Sequence, residues 1–403
     1  MTATVWELLD FIARWVHVIA GIMWIGNSLL FNWLDRSLRP GHTAERGRPA
    51  LGTIWLLHSG GFYYVEKTLL DGEPVPRPLH WFKWQAYTTW LTGALLLLVV
   101  YYVSDRAILA DPSIAPLSHA AAVAVGAGAI IIGWALYESM QRLVAPRAPA
   151  AALAIWLSGL VAIGIALTLL LSGRAAFLHV GAMLGTIMAG NVVLTIVASQ
   201  RELVASVGGR GADPAISARA KRVSIHNNYF TFPVIALMVS NHFPMIYGQR
   251  WSWALLLVIT AAGVLVRHLL NIRFTFAAWK PALGATMLAA AAGMYGLAAL
   301  GRRASAEPAA DAAVPSMVTF ADARHVIDRR CAVCHSAQPV DSSLGVTPAG
   351  VMFDTPDQIV ARASRIQERA VVTRTMPPGN KTRISDVERA ILARWIAAGA
   401  KLP

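Results

Sequence analysis

The strongest constraint on this chain is a series of eight apolar stretches, each long enough to cross a lipid bilayer. A helix needs about 20 apolar residues to span a hydrocarbon core of about 30 Å. Because lipid offers no partners for backbone N–H and C=O groups, such stretches are expected to be helical. The chain is therefore predicted to be all-α, with a polytopic transmembrane bundle of about eight spans. These spans cover residues 8–34, 81–103, 117–139, 151–171, 175–199, 225–243, 251–270 and 281–300.

Composition favours a membrane protein over an ordinary soluble enzyme. Of the 403 residues, 56% are hydrophobic and only 14% are charged, whereas soluble domains are nearer half apolar and a quarter charged. The net charge of +13 comes mostly from loops between the spans, where basic residues set membrane orientation. We therefore expect membrane lipid around the bundle and no nucleic-acid partner.

A ninth stretch, Leu51 to Val65, is shorter than the others and carries polar residues near its centre. It could span the bilayer, re-enter it or lie at the interface. With eight spans the loops hold 15 Lys and Arg on one side and 3 on the other, and a ninth span changes this to 11 and 7. The positive-inside rule favours eight spans. Either count places the C-terminus outside.

Composition changes after residue 300, which ends the membrane domain predicted over residues 1–300. Residues 301–316 are rich in Ala, Pro and Ser and are interpreted as a linker. Residues 317–403 regain charge and are expected to form a small soluble domain. Short helices are predicted in it over Val318 to Arg330 and Ser385 to Ala398.

Side chains at the ends of these two helices suggest how they form and meet. Ser385 is a candidate N-cap because Glu388 follows three residues later, as in a capping box. Phe320 and Trp395 are candidates to pack where the helices cross.

Both cysteines of the chain lie in the sequence Cys331-Ala332-Val333-Cys334-His335. This C-x-x-C-H motif is typical of covalent haem c attachment, in which two thiols bind the haem vinyl groups and the histidine ligates the iron. A zinc site would need two more ligands, and the chain has no second cysteine pair. A thioredoxin-like motif would need a βαβ context, which the pattern does not offer.

The second axial ligand of the haem iron is expected later in the chain. Met376 is the preferred candidate because the prolines that follow it hold an extended backbone that can present the thioether. Met352 is the competitor. Methionine and histidine together raise the reduction potential and suit electron transfer. The fold expected for residues 317–403 is therefore a class I-like cytochrome c.

Ionisable and amide side chains within spans are costly and usually functional. Each of these residues taken alone is as easily explained by structure as by function. As a set they are candidates for a catalytic site or for a second redox centre, either a haem b or a metal. The candidates are His17, His58, Glu66, His179, His226, Asn241, His242, Arg267 and His268.

Three sequence blocks carry a resemblance to a known family. They are Trp15 to Gly26 followed by Asn32 to Asp35, then His58 to Lys67, then His226 to His242. With the C-terminal haem motif, their order resembles the bacterial membrane-bound cytochrome c urate oxidase (urate hydroxylase) family.

The resemblance implies a membrane enzyme of purine catabolism that oxidises urate to 5-hydroxyisourate, with water supplying the oxygen. It implies that electrons leave through the covalent haem c to a respiratory-chain acceptor, a soluble cytochrome c or a terminal oxidase, without hydrogen peroxide. The implied location is the bacterial inner membrane, with the cytochrome domain on the periplasmic side. The alternatives are a membrane dehydrogenase for a quinol or another small organic substrate, and a transporter with a redox tail.

Overall fold

The protein is known here from a computed structural model, which describes residues 3–39, 50–68, 70, 75–103, 109–207, 213–306, 317–341 and 347–402. Of these described residues, 72% are helical, as expected for the all-α class. The helices of the membrane domain are α1 (Ala3–Ser37), α2 (Trp84–Leu96), α3 (His119–Ser139), α4 (Pro149–Leu170), α5 (Gly173–Gly190), α6 (Val197–Ser206), α7 (Pro214–Ser240), α8 (Pro244–Tyr247), α9 (Ser252–Ile272) and α10 (Trp279–Ala306). Three of them continue into π-helical segments, α2 over Leu97–Tyr102, α3 over Met140–Val144 and α5 over Asn191–Ile196.

Six helices in the described part of the chain are long and apolar enough to cross a membrane. They coincide with six of the eight predicted spans. The other two predicted spans are also helical, in α2 with its π segment and in α7. Both helices begin with polar side chains, Gln85, Thr88 and Thr89 in the first and Arg219 and Arg222 in the second. This polar start lowers their mean hydropathy.

The stretch from Leu51 to Val65 is neither a helix nor a span. It forms an antiparallel hairpin of β1 (Ala50–His58) and β2 (Gly61–Thr68). Ser59 and Gly60 have φ of 50° and 75°, the signature of a two-residue type I′ turn. An open two-stranded sheet leaves edge N–H and C=O groups unpaired and is not stable in hydrocarbon. The hairpin therefore corrects a purely helical description of the chain.

Helix α5 lies at the centre of the bundle. Its side chains Phe177, Met183 and Ile187 are fully buried, and the helix contacts α2, α3, α4 and α7. Close approach of α3 to α5 depends on Gly126, where an added Cβ would lie 2.6 Å from His179 Nε2. By contrast, most side chains of α1 are at least partly exposed, which suits a helix at the lipid-facing edge.

The C-terminal domain consists of α11 (Phe320–Arg330), α12 (Pro356–Val360), α13 (Ala363–Ile366) and α14 (Asp386–Ala397), with a π-helical segment at Gln367–Val372 and 3₁₀ turns at Pro348–Gly350 and Pro378–Asn380. The predicted helices are confirmed within two residues at each end. So is the capping box, since Ser385 Oγ accepts the Glu388 N–H and the Glu388 side chain accepts the Ser385 N–H. The rings of Phe320 and Trp395 meet at 5.8 Å between centroids.

The predicted linker begins inside a helix, because α10 continues to Ala306. Residues 307–316 of the linker lie outside the described residues. Beyond it, the C-terminal domain packs on the end of the bundle where α5 begins. A Cβ added at Gly248 would lie 2.6 Å from Thr375 Cγ2 and 2.7 Å from the Thr373 carbonyl oxygen. We call this end of the bundle the domain end, and the other the distal end.

The close approach at Gly126 predicts a specific loss of stability. Gly126→Ala should lower the unfolding temperature relative to Gly128→Ala, because the new methyl group collides with the buried His179 ring, and overpacking costs about 1–3 kcal/mol. Gly128 lies on the same helix with nothing within 4 Å of an added Cβ, so both variants gain the same helix propensity. Thermal unfolding in detergent measures the difference, and equal midpoints would contradict the packing.

Candidate functional site

The haem-attachment motif begins where α11 ends. The Cys331 N–H still donates to the Ile327 carbonyl at 2.8 Å, so the first thiol is fixed by the last turn of the helix. The cysteines are not joined to each other. Burial raises the pKa of the Cys331 thiol to about 12 and also raises that of Cys334. Both thiols are therefore protonated at neutral pH in the polypeptide alone.

His335 is oriented as an iron ligand needs to be. Its Nδ1 lies 3.0 Å from the Val351 carbonyl oxygen, which can only accept, so Nδ1 carries the proton. The Phe353 ring packs against the imidazole at 5.4 Å between centroids. Burial lowers the pKa of His335, which leaves the imidazole neutral with its Nε2 lone pair available. A carbonyl that accepts from Nδ1 and so fixes the ring is the usual arrangement for ligating histidines, and these residues fit a covalent haem c.

The backbone of Met376 is held on both sides. Its N–H donates to the Arg369 carbonyl at 3.0 Å, and its carbonyl accepts from Arg389 Nη1 at 3.0 Å. Arg389 is buried and also donates to the Ala370 carbonyl. Burial lowers its pKa to about 10, so Arg389 stays charged at neutral pH. The loop that carries the predicted iron ligand is thus fixed by a buried cation.

A cavity of about 730 Å³ lies between the bundle and the C-terminal domain. This volume falls in the range of about 300–1,000 Å³ that is typical of small-molecule sites. The C-terminal domain contributes Arg369, Thr373, Arg374, Met376 and Gly379 to its wall. The bundle contributes Arg14, Asp111, Arg174, Asn241, His242 and Tyr247.

Two of the predicted membrane-site residues, Asn241 and His242, therefore lie at the domain end, beside the loop of Met376. Asn241 Nδ2 donates to the Met238 carbonyl, and its Oδ1 lies 3.5 Å from Arg174 Nη2. Asp111 accepts from the Ser113 backbone N–H and hydroxyl at 2.9 and 2.6 Å. Five arginines line the cavity, and Asp111 is the one carboxylate among its lining residues.

His17 and His179 occupy separate environments further along the bundle. His17 Nδ1 donates to the Thr89 carbonyl on α2 at 2.9 Å. His179 is fully buried, and its Nδ1 donates to the Ala175 carbonyl at 2.7 Å. The neutral ring then accepts the Tyr102 hydroxyl at Nε2, 3.0 Å away. Each imidazole has a protein partner that fixes its orientation.

His226 belongs to a buried network in the distal half of the bundle. Asn191 Nδ2 donates to the Asn227 carbonyl oxygen Oδ1 at 2.8 Å and to the Tyr137 hydroxyl at 3.0 Å. The Tyr137 hydroxyl can then donate its proton in a hydrogen bond to His226 Nδ1, which lies 2.8 Å from the hydroxyl oxygen. Asn191 Oδ1 and Trp156 Nε1 are buried with no hydrogen-bond partner among the described residues.

Arg267 lies in a second distal network. Its Nε donates to Asn228 Oδ1 at 3.0 Å, and Asn271 Nδ2 donates to the same oxygen at 2.8 Å. The guanidinium is buried, and its Nη2 has no partner in the described part of the chain. His268 faces another way, with its Nδ1 2.7 Å from the Tyr229 hydroxyl.

His58 and Glu66 are placed apart from all these groups. Both lie on the β-hairpin, where His58 is exposed at the turn and its Nδ1 is 2.8 Å from Ser59 Oγ. Glu66 pairs in register with Thr53. The structure therefore divides the predicted membrane-site residues among the hairpin, two distal networks, the bundle interior and the domain-end cavity.

No group of three His, Cys, Asp or Glu side chains that could hold a metal ion occurs among the described residues. A second redox centre in the bundle stays a prediction.

Several residues of these networks were not singled out from the sequence. Tyr137, Trp156 and Tyr102 are aromatic residues in apolar helices, where lipid-facing and network-forming positions look alike. Arg174 and Arg369 give only a weak signal, since a basic residue near a helix end is common. The one hint for Arg174 is its place two residues after Ser172, which caps α5.

The fold and the cavity define a class of protein, a multi-helix bundle with apolar helices long enough to cross a membrane and a small helical domain on one end. Residues 3–297 match the family model described as urate oxidase N-terminal, and the chain belongs to this family. The match covers the bundle and not the C-terminal domain. Comparisons with curated proteins and with solved structures found no match.

The buried network around Tyr137 predicts a cost for removing its hydroxyl. Tyr137→Phe should lower the unfolding temperature, since Asn191 and His226 each lose a partner and a buried unpaired group costs about 1–3 kcal/mol. Tyr295→Phe is the matched control, because Tyr295 is 75% exposed on α10. A melt that is unchanged for Tyr137→Phe relative to the control would contradict the network.

Proposed function

We propose that the protein oxidises urate to 5-hydroxyisourate and delivers the electrons to a haem c held by its C-terminal domain. One observation carries the proposal. The loop of Met376, the predicted iron ligand, lines a cavity whose opposite wall belongs to the urate oxidase family region. A substrate in this cavity would lie beside the electron acceptor, which matters because electron transfer slows steeply with distance.

The reaction balances without dioxygen as a reactant. Urate and one water molecule give 5-hydroxyisourate, two electrons and two protons. The oxygen of the new hydroxyl group comes from water. Because the electrons pass to the haem c and not to dioxygen, no hydrogen peroxide is formed. A haem c accepts one electron at a time, and two successive transfers are therefore needed for each urate. A soluble cytochrome c or a terminal oxidase of the respiratory chain would take the electrons onward.

The chain's own residues would hold the haem and prepare the site. Cys331 and Cys334 would supply the thioether bonds, and His335 and Met376 would bind the iron. Arg389 fixes the backbone of Met376. In the bundle, Asn241 and His242 line the cavity. Asn241 would orient a polar edge of the purine, and His242 would accept a proton.

We further propose that α2 with its π segment and α7 complete an eight-span bundle in a bacterial inner membrane. The basic loop residues then lie mostly on one side, as the positive-inside rule requires. The C-terminal domain lies on the opposite, periplasmic side, where haem c attachment takes place.

Adding urate to anaerobic membranes that contain the oxidised protein tests the function. The haem c alpha band should appear with two haems reduced for each urate consumed, and no hydrogen peroxide should accumulate in air. A quinol and a small alcohol serve as comparison reductants. The double variant Cys331→Ser, Cys334→Ser should lose the covalent haem and the urate-dependent electron flow.

An intact ferric haem c that urate does not reduce would refute the proposal. Reduction by the quinol alone would instead favour the quinol dehydrogenase alternative. Extraction of the same membranes with acid acetone, which removes only non-covalent haem, tests for the second haem in the bundle.

A further inference from the structure

We propose that Arg174 and Arg369 form a clamp that binds the urate monoanion in the cavity between the two domains. The identity of the anion rests on the proposed function, whereas the clamp itself rests on the charges and geometry of the cavity. The two arginines come from opposite walls, Arg174 from the first turn of α5 and Arg369 from the π-helical segment of the C-terminal domain.

The other cations of the cavity are already engaged. Arg14 pairs with Asp10 at 2.6 Å, Arg374 pairs with Asp386 at 2.9 Å, and Arg250 lies over the Trp251 ring. Neither Arg174 nor Arg369 has a carboxylate partner within the residues that the structure describes. Two such cations facing one cavity favour an anionic ligand, because its charge offsets their mutual repulsion.

Arg174 also has an unused donor suited to a planar ligand. Its Nη2 lies 3.5 Å from Asn241 Oδ1, a long contact, and its Nε is buried with no hydrogen-bond partner among the described residues. The planar guanidinium fork donates two parallel N–H bonds to adjacent acceptors. A urate edge offers such acceptors in its carbonyl oxygens and its deprotonated ring nitrogen.

Arg369 lies in the same hydrogen-bonded segment as Met376, the predicted iron ligand. Its carbonyl accepts the N–H of Met376 at 3.0 Å, so the guanidinium and the predicted iron ligand belong to one hydrogen-bonded segment. Since the clamp needs both walls, urate would bind only when the C-terminal domain is docked. The same docked arrangement of the two domains would thus serve both urate binding and electron transfer.

Arg267 is the competing cationic site. It is 15 residues along α9 from Ser252, which lines the cavity, and at 1.5 Å per residue this is roughly 22 Å away. Arg267 is not among the residues that line the cavity. Arg267 is therefore not part of the clamp. Its replacement removes a buried positive charge outside the cavity and serves as the comparison variant.

Equilibrium dialysis with radiolabelled urate tests the clamp on the purified, full-length protein in detergent. The haem is kept reduced by dithionite, so that urate is bound without being oxidised. Arg174→Gln and Arg369→Gln should each weaken urate binding about 10- to 100-fold, the loss expected for charge-assisted hydrogen bonds. Arg174→Lys should restore only part of the affinity, because lysine keeps the charge and loses the fork.

Arg250→Gln is the matched control, since it removes the same charge from the same cavity wall, and it should change the dissociation constant less than twofold. The reduced haem spectrum and the unfolding temperature verify that each variant is folded. Wild-type affinity in both clamp variants would overturn the inference. So would loss of binding in Arg267→Gln alone, which would move the urate site to the distal half.

The two proposals fail separately. If urate reduces the haem c of the wild-type protein but the clamp variants bind urate normally, the function stands and the clamp is wrong. If the clamp variants lose binding but urate does not reduce the wild-type haem, the anion site stands and the proposed oxidation is wrong.

Discussion

Lipid supplies no hydrogen-bond partners, and the polar groups inside the bundle must therefore be satisfied by the protein itself. This requirement explains why the buried histidines are each tied to a carbonyl or a hydroxyl, as His179 is to Ala175 and Tyr102. It also explains why Asn191 and Asn227 occur together rather than singly. Arg174 Nε is buried without a hydrogen-bond partner among the described residues, and Arg174 lines the cavity between the two domains.

Docking of the C-terminal domain creates a cavity in which residues of both domains meet. The loop that carries Met376 is held from within its own domain by Arg389 and reaches the bundle beside Gly248. The oxidising and accepting parts of the proposed reaction are thereby built on one chain. This arrangement gives the fusion of the two domains a physical reason, since a tethered acceptor needs no diffusional encounter for each electron.

Sequence reasoning succeeded where the signal is local. Helix positions follow from apolar length, and the helices of the C-terminal domain follow from caps such as Ser385 with Glu388. It was incomplete at Leu51 to Val65, because a short apolar run has no period that separates a helix from a hairpin. The pair Ser59-Gly60, which suits a tight turn, was the sequence signal that could have predicted the hairpin. Site residues were harder to predict. His58 and His226 look equivalent in sequence, but His58 lies on the hairpin and His226 lies in a buried network.

The sequence by itself determined the apolar helices, the change of composition near residue 300 and the spacing of Cys331, Cys334 and His335, because each depends on residues close together in the chain. Only the tertiary structure decided which polar groups meet. Arg174 and Arg369 are separated by 195 positions in the sequence and line the same cavity. Such proximity results from how helices pack and domains dock, which no local pattern records.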